Sequence, residues 1–137
     1  MAAQATKEGI RELADAMFLD NATPEDKEII LFSNDVAITI ATVNANLTEI
    51  TTAGGEKQTL TKGSWTAATD ADPVVSRYNG ATGLVFSFTG ALTVYGYAMK
   101  GVTSDKIYAA ENFGVQTYAN GNSLTLQPLD VNLDLTP

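Results

Sequence analysis

The sequence predicts a mainly β protein: a β-sandwich or jelly-roll-like single domain preceded by one short N-terminal α-helix. Its 137 residues, 45% of them hydrophobic and 18% charged, provide for one hydrophobic core but not for two. Apolar runs are short, and turn residues recur about every ten positions, as in sandwiches and barrels. After the N-terminal segment the periodicity changes from helical to extended. We therefore expect the helix within residues 1–22 and the sandwich within residues 23–137.

The N-terminal segment has the apolar spacing of an amphipathic helix. Apolar residues recur at intervals of three and four, at Ile10, Leu13, Ala14 and Met17. We expect the helix to run from about Thr6, a suitable N-cap, to Phe18. A helix of this length is marginally stable alone. Its stripe of Ile10, Leu13 and Met17 must therefore pack on the protein's own sheet or on a neighbouring subunit.

Two strands are predicted directly after the breaker that contains Pro24. The wholly apolar run Ile29 to Phe32 indicates a buried strand, and Asn34-Asp35 indicates a turn. In the next segment, Val36, Ile38 and Ile40 share a face, so we expect a hairpin.

The following segment, residues 41–63, is polar and predicts loops with a turn at Gly54-Gly55. Its few apolar anchors are Leu47, Ile50 and Leu60. Beyond Trp65, Pro73 bars a central strand position, and the acidic loop from Asp70 to Pro73 is expected on the surface.

The clearest strand signals lie in the second half of the chain. Alternation over Leu84 to Phe88 and again over Leu92 to Met99, with Thr89-Gly90 between them, predicts two paired strands. Residues 106–113 form a further strand candidate, and Asn120-Gly121 marks the turn before the last strand region.

The apolar phase slips in the C-terminal tail. Leu124 and Leu126 hold even positions, whereas Leu129 and Val131 hold odd ones, with Pro128 between the two sets. The slip predicts either a bulge or two separate short strands. A tail this apolar is either the last member of the protein's own sheet or an arm that lies on a neighbouring molecule.

Charge argues against nucleic acid as a partner. Sixteen acidic and eight scattered basic residues give a net charge of −8, which repels a phosphate backbone. Charged residues interrupt the first 20 positions, so neither a signal peptide nor a membrane span is expected. We expect a soluble protein without a membrane partner.

The residue types that most often carry catalysis are missing. The chain has no histidine and no cysteine, so the usual general base and the usual zinc ligands are absent. No phosphate-binding or dinucleotide motif is present. Asp70 and Asp72 could serve as a carboxylate pair of a hydrolase or bind a cation, but a solvated turn explains them better. We expect no catalytic, cofactor or metal site.

Three aromatic residues are candidates for binding. Alternation places Tyr95 and Tyr97 on the face opposite Val94, as a second buried layer or as an exposed adhesive pair. Trp65 is a core residue, an interface anchor or a platform for a sugar.

Five short strings occur in an order that resembles tailed-phage virion proteins. They are Ile30 to Asp35, Leu47-Thr48-Glu49, Gln58-Thr59-Leu60-Thr61, Tyr95-Gly96-Tyr97 and Leu124 to Pro128. Together they span most of the chain. The preserved order carries the resemblance, because each string alone is a common β or turn sequence.

The resemblance implies a small capsid decoration or cement protein, made in the host cytoplasm and bound to the outer capsid surface of the virion. Its implied partners are the major capsid protein and further copies of itself, as a trimer or dimer. The residues we expect in such interfaces are Ile10, Leu13, Met17, Trp65, Tyr95, Tyr97, Leu129 and Val131. Two other interpretations are a tail, neck or fibre accessory subunit and a carbohydrate-binding module that uses Trp65 or the two tyrosines.

Overall fold

The protein is mainly β, with antiparallel sheets and a helix that begins near the N-terminus, which confirms the predicted fold class. This computed structural model describes residues 4–9, 25–60, 74–77, 84–126 and 130–133, with residues 4–5, 74–77 and 130–133 described by their backbone alone. Residues 7–9 are helical, and the Gly9 N–H donates to the Thr6 hydroxyl at 3.2 Å, so Thr6 is the predicted N-cap. The remainder of the predicted helix lies outside the described residues.

Nine strands make up the described part of the fold. They are β1 (Gln4–Ala5), β2 (Lys27–Phe32), β3 (Gln58–Leu60), β4 (Val74–Arg77), β5 (Leu84–Ser87), β6 (Leu92–Gly101), β7 (Ile107–Tyr118), β8 (Ser123–Leu126) and β9 (Asp130–Leu133). Five of them form one sheet in the order β1-β7-β6-β2-β3, while β4 pairs with β9 and β5 with β8. A 3₁₀ turn at Asn44–Asn46 lies between β2 and β3.

The five-stranded sheet is covered on both faces. On one face it packs against the β5–β8 pair through an inner cluster formed by Ile29, Leu31, Ile50, Leu60, Phe86, Phe88, Val94, Tyr97, Met99 and Leu126. On the other face lies an outer cluster, formed by Ile30, Phe32, Leu47, Ala98, Ile107 and Ala110. Strand β2 contributes to both clusters, which explains the wholly apolar run from Ile29 to Phe32. The three predicted anchors Leu47, Ile50 and Leu60 are all buried.

The predicted hairpin between β2 and residues 36–40 is wrong. Those residues form no strand, and β2 lies between β6 and β3. The Asn34 side chain donates to the Asn46 carbonyl and accepts from the Thr48 N–H, so residues 48–50 return to the end of β2. There the Ile50 N–H donates to the Leu31 carbonyl at 2.8 Å. The alternation found in residues 36–40 instead lets Val36 and Ile38 pack on the outer cluster.

The two strands predicted after Leu84 exist, but their predicted pairing is wrong. Strand β6 lies between β2 and β7, and β5 pairs with β8 in the opposite layer. The Phe88 N–H donates to the Asn122 carbonyl, and the Phe88 carbonyl accepts from the Gly121 N–H. These bonds hold the end of β5 to the turn that precedes β8. Thr89-Gly90 therefore connects β5 in one layer to β6 in the five-stranded sheet.

The remaining strand predictions agree more closely with the structure. Strand β7 begins at the predicted place and continues to Tyr118. The phase slip in the tail reflects two separate strands, β8 and β9, which have different partners. Strand β1 was not predicted. It extends the sheet by pairing Gln4 with Ala110 and Ala5 with Ala109.

The start of the helix is attached to β7. The Thr6 hydroxyl donates to the Ile107 carbonyl, and the Ile107 N–H donates to the Glu8 carboxylate at 3.0 Å. The Lys7 N–H donates to the Ile40 carbonyl at 2.8 Å. The N-terminal segment is therefore fixed to the sheet where the helix begins.

Candidate protein interface

A group of the described charged side chains lies around one end of the long β6–β7 hairpin. Here Lys100 and Glu28 face each other as cross-strand partners of β6 and β2. Their charged atoms are 3.2 Å apart, and Lys100 and Glu28 are only 4% and 1% exposed. A buried pair of this kind depends on further partners, because burial removes the hydration of both charges.

Those further partners are present. The Lys100 ammonium lies 3.1 Å from Asp105 and 3.4 Å from Glu49, and Lys57 lies 3.2 Å from Glu28. Burial, the largest influence, favours the neutral amine, but the Asp105, Glu28 and Glu49 carboxylates together outweigh it and raise the pKa of Lys100. Each of these charges faces another member of the cluster, which marks it as a structural network.

The turn of the same hairpin is held by Glu25. Its carboxylate accepts from the Thr103 N–H at 2.7 Å, from the Ser104 N–H at 3.1 Å and from the Ser104 hydroxyl. Burial raises the pKa of Glu25, but the hydrogen bonds from Ser104 and Thr103 outweigh this influence and lower it overall. This end of the hairpin is thus ordered by charge, and no metal-binding cluster of acidic side chains occurs among the described residues.

The other end of the hairpin belongs to a region without charge. None of the chain's eight basic or sixteen acidic residues falls within 51–55, 84–99 or 112–126, which we call the charge-free region. The structure brings these three stretches together. Strand β5 pairs with β8, the outer half of β6 pairs with the outer half of β7, and the Thr89 N–H donates to the Ala53 carbonyl.

The three stretches interlock tightly. The Phe88 and Tyr118 rings lie 4.4 Å apart between centroids and join the β5 end to the β7 end. Gly54 has a φ of +83°, and a Cβ there would overlap the Ser87 carbonyl. This turn can therefore approach the end of β5 only with glycine at that position.

The residues of the charge-free region form an uncharged and partly apolar surface, with the Asp35 carboxylate at its border, where it accepts from the Asn112 side chain at 3.0 Å. Two large apolar side chains are exposed in it, Val85 at 46% and Val115 at 55%. The rest of its exposed surface is formed largely by Thr, Ser, Asn and Gln side chains. Lasting protein–protein contacts are typically depleted of charge at their centre. In a chain with a net charge of −8, this region has the composition of an interface.

The prediction that Tyr95 and Tyr97 share a face opposite Val94 is wrong. The register of β6 and β7 shifts between Val94 and Gly96, so Val94 and Tyr97 both belong to the inner cluster. Tyr95 packs, half-buried, against the outer cluster. The bulge reverses the alternation that the sequence pattern assumes. The two tyrosines therefore cannot form an exposed adhesive pair.

Tyr97 is instead part of a buried polar contact. Tyr97 lies opposite Glu111, its cross-strand partner. Burial and the neighbouring Glu111 carboxylate raise the pKa of Tyr97 well above its usual value. One oxygen of the Glu111 carboxylate is buried without a hydrogen-bond partner among the described residues. Tyr97 is accordingly a core residue, and only Tyr95 retains partial exposure.

The other predicted interface residues are not brought together by the described structure. Ile10, Leu13, Met17, Trp65 and Leu129 lie outside the described residues, as do Asp70 and Asp72. Val131 lies in β9, where its backbone is paired with Ser76. No helix within the described ranges is long and apolar enough to cross a membrane.

Comparison with known proteins identifies no relative. No protein-family model, no curated protein and no solved structure matches the chain.

The charge-free region was missed by the sequence interpretation, although the sequence contains a signal for it. Two runs, residues 84–99 and 112–126, lack any charge in a chain of which 18% is charged. The apolar periodicity of these runs predicts strands but does not register that both runs lack charge. Their adjacency, however, follows from strand pairing and was not predictable from either run alone.

Proposed function

We propose that the chain is a structural subunit of a tailed-phage virion: a decoration or cement protein that binds and stabilises the outer capsid shell. The observation that carries this proposal is the charge-free region, a neutral surface on a fold otherwise rich in acidic groups. Such a surface suits a permanent protein contact. The ordered resemblance to virion proteins and the acidic balance, which disfavours a surface that faces DNA, support the same function.

A binding experiment with shells tests this proposal. The purified chain is mixed with empty shells of the phage that encodes it and sedimented, and the bound copies are counted at saturation. A decoration protein binds in a fixed ratio to the major capsid protein and raises the temperature at which the shells disassemble. Failure to sediment with the shells, or shells of unchanged stability, contradicts the proposal.

Copy number in native particles distinguishes a decoration protein from the other virion alternative. A tail, neck or fibre subunit is present in a few copies, whereas a decoration protein scales with the shell lattice. The carbohydrate-binding alternative can no longer rely on the two tyrosines together, because Tyr97 is buried and cannot stack on a sugar beside Tyr95. A carbohydrate-binding module that uses Trp65 predicts that the chain binds at least one glycan on an array.

A further inference from the structure

The outer edge of β7 lacks a partner strand in the described part of the chain. Strand β7 pairs with β6 along one side, whereas β1 covers the other side only at Ala109 and Ala110. The residues from Gly114 to Thr117 are exposed. An open strand edge presents unpaired N–H and C=O groups that can pair with another chain.

This edge has few of the features that usually prevent pairing. Charged residues and proline commonly protect edge strands, and neither occurs in the sequence between Asn112 and Leu126. The nearest charge described is the Asp35 carboxylate, which accepts from the Asn112 side chain at 3.0 Å, before the bulge. A bulge around Gly114, which has a φ of +83°, interrupts the strand, and the Gly114 N–H is already bonded to the Asn112 side chain at 2.8 Å. Beyond the bulge, Gln116, Thr117 and Tyr118 return to a regular ladder with β6. A straight, uncharged segment thus remains open.

Charge indicates which partner fits this edge. A strongly charged partner would gain nothing from a neutral surface, so the partner surface must itself be uncharged. Two copies of this chain, each with a net charge of −8, repel each other unless they meet where neither carries charge. The charge-free region satisfies this condition on both copies, and identical edges are self-complementary about a two-fold axis.

We propose that a second copy of this chain pairs with the outer edge of β7, antiparallel about a two-fold axis near Gln116, and extends the five-stranded sheet across the dimer. The inference rests on the proposed function of the charge-free region as a protein-contact surface, but not on the shell as its occupant. Val115 of each copy lies next to this axis.

Two exposed valines allow a matched test. Val115 is 55% exposed beside the open edge, and Val102 is 41% exposed at the opposite end of the β6–β7 hairpin. Each is replaced by Glu and, separately, by Lys, and the four variants and the unaltered chain are examined by sedimentation equilibrium. Circular dichroism melting verifies that each variant is folded.

The unaltered chain should be a dimer, and both Val115→Glu and Val115→Lys should weaken it about tenfold or more, because like charges then face each other across the axis. The Val102 variants should leave dissociation almost unchanged.

If net charge alone governed association, Val115→Lys would strengthen the dimer, which would overturn the proposal. A monomer at millimolar concentration, a trimer, or equal weakening at Val102 would also overturn it. A monomer that still sediments with shells would leave the proposed function intact.

Discussion

At the scale of single residues, buried polar groups in specific pairs set the stability of the β2–β6–β7 core. Lys100 and Glu28 are buried together, and the buried Tyr97 lies opposite Glu111. Neither arrangement could be read from the sequence, where Glu28 and Lys100 are ordinary charged residues in strands. Their burial follows from the register that places them opposite each other.

Lys57 provides a matched control for the contribution of Lys100. Both lysines lie 3.2 Å from Glu28, but the Lys57 side chain is 52% exposed and that of Lys100 only 6%. Lys100→Met leaves a buried carboxylate poorly compensated and should lower the free energy of unfolding by about 3 kcal/mol, whereas Lys57→Met should lower it by less than about 1 kcal/mol. Urea denaturation at neutral pH measures both. Equal losses of unfolding free energy in the two variants would contradict the assignment of Lys100 to a buried stabilising network.

Alkaline pH should destabilise the fold through Tyr97 and Lys100. The pKa of each is raised in the folded protein, so their contributions are complete below the unfolded pKa values and are lost as pH rises through the folded ones. Loss of stability should therefore begin above pH of about 10. Tyr97→Phe removes one titrating group and should reduce this loss, while Tyr95→Phe, which alters a half-buried ring, serves as the control. The melting temperature measured as a function of pH tests this prediction. Identical profiles for Tyr97→Phe and the unaltered chain would refute the contribution of Tyr97.

At the scale of elements, the sequence predicts β2, β5, β6 and β7 but not β1 or β3, and it predicts the partners of the strands poorly. A continuous apolar run marks β2, and alternation marks β5 and β6, because these strands bury one face or both. Pairing depends on contacts between distant residues, and β5 joins β8 across some forty positions of chain that local patterns do not connect. The bulge that separates Tyr95 from Tyr97 was equally hidden, since it depends on the extra residues of β7 near Gly114.

An engineered disulfide distinguishes the observed pairing of β5 from the predicted one. Val85 and Thr125 are cross-strand partners, and the chain has no native cysteine. The double variant Val85→Cys/Thr125→Cys should form an intramolecular disulfide on oxidation, because facing Cβ atoms lie within bridging reach. The control pair Val85→Cys/Val94→Cys, which a hairpin of β5 with β6 about Thr89-Gly90 would place opposite each other, should remain reduced. Mass spectrometry after trypsin digestion reports the link, and the reverse pattern would contradict the topology.

The predicted helix stripe can be tested without disturbing the sheet. Deletion of residues 1–20 would also remove β1 and the bonds of Thr6 to β7. Glutamine preserves helix propensity, so Leu13→Gln/Met17→Gln can be compared with Arg11→Gln/Asp15→Gln on the polar face. If the stripe contacts the shell, the first pair should weaken cosedimentation with shells and the second should not. Full binding by Leu13→Gln/Met17→Gln would remove the stripe as a contact.

At the scale of the whole molecule, charge is divided between two regions of one sandwich. Among the described residues, Glu28, Lys100 and their charged neighbours form one cluster at the β2, β6 and β7 ends, whereas 51–55, 84–99 and 112–126 carry no charged residue. The division fits a subunit that fixes its own fold with charge and meets other proteins through neutral surface.

The most direct test of the proposed function is an image reconstruction of native virions of the phage that, under this proposal, encodes the chain. Density for this sandwich should occupy every equivalent site on the outer capsid surface, with neighbouring copies joined along the open edges of β7. Particles that lack the chain, or that carry it in only a few copies at the tail, would contradict the proposed function of capsid decoration.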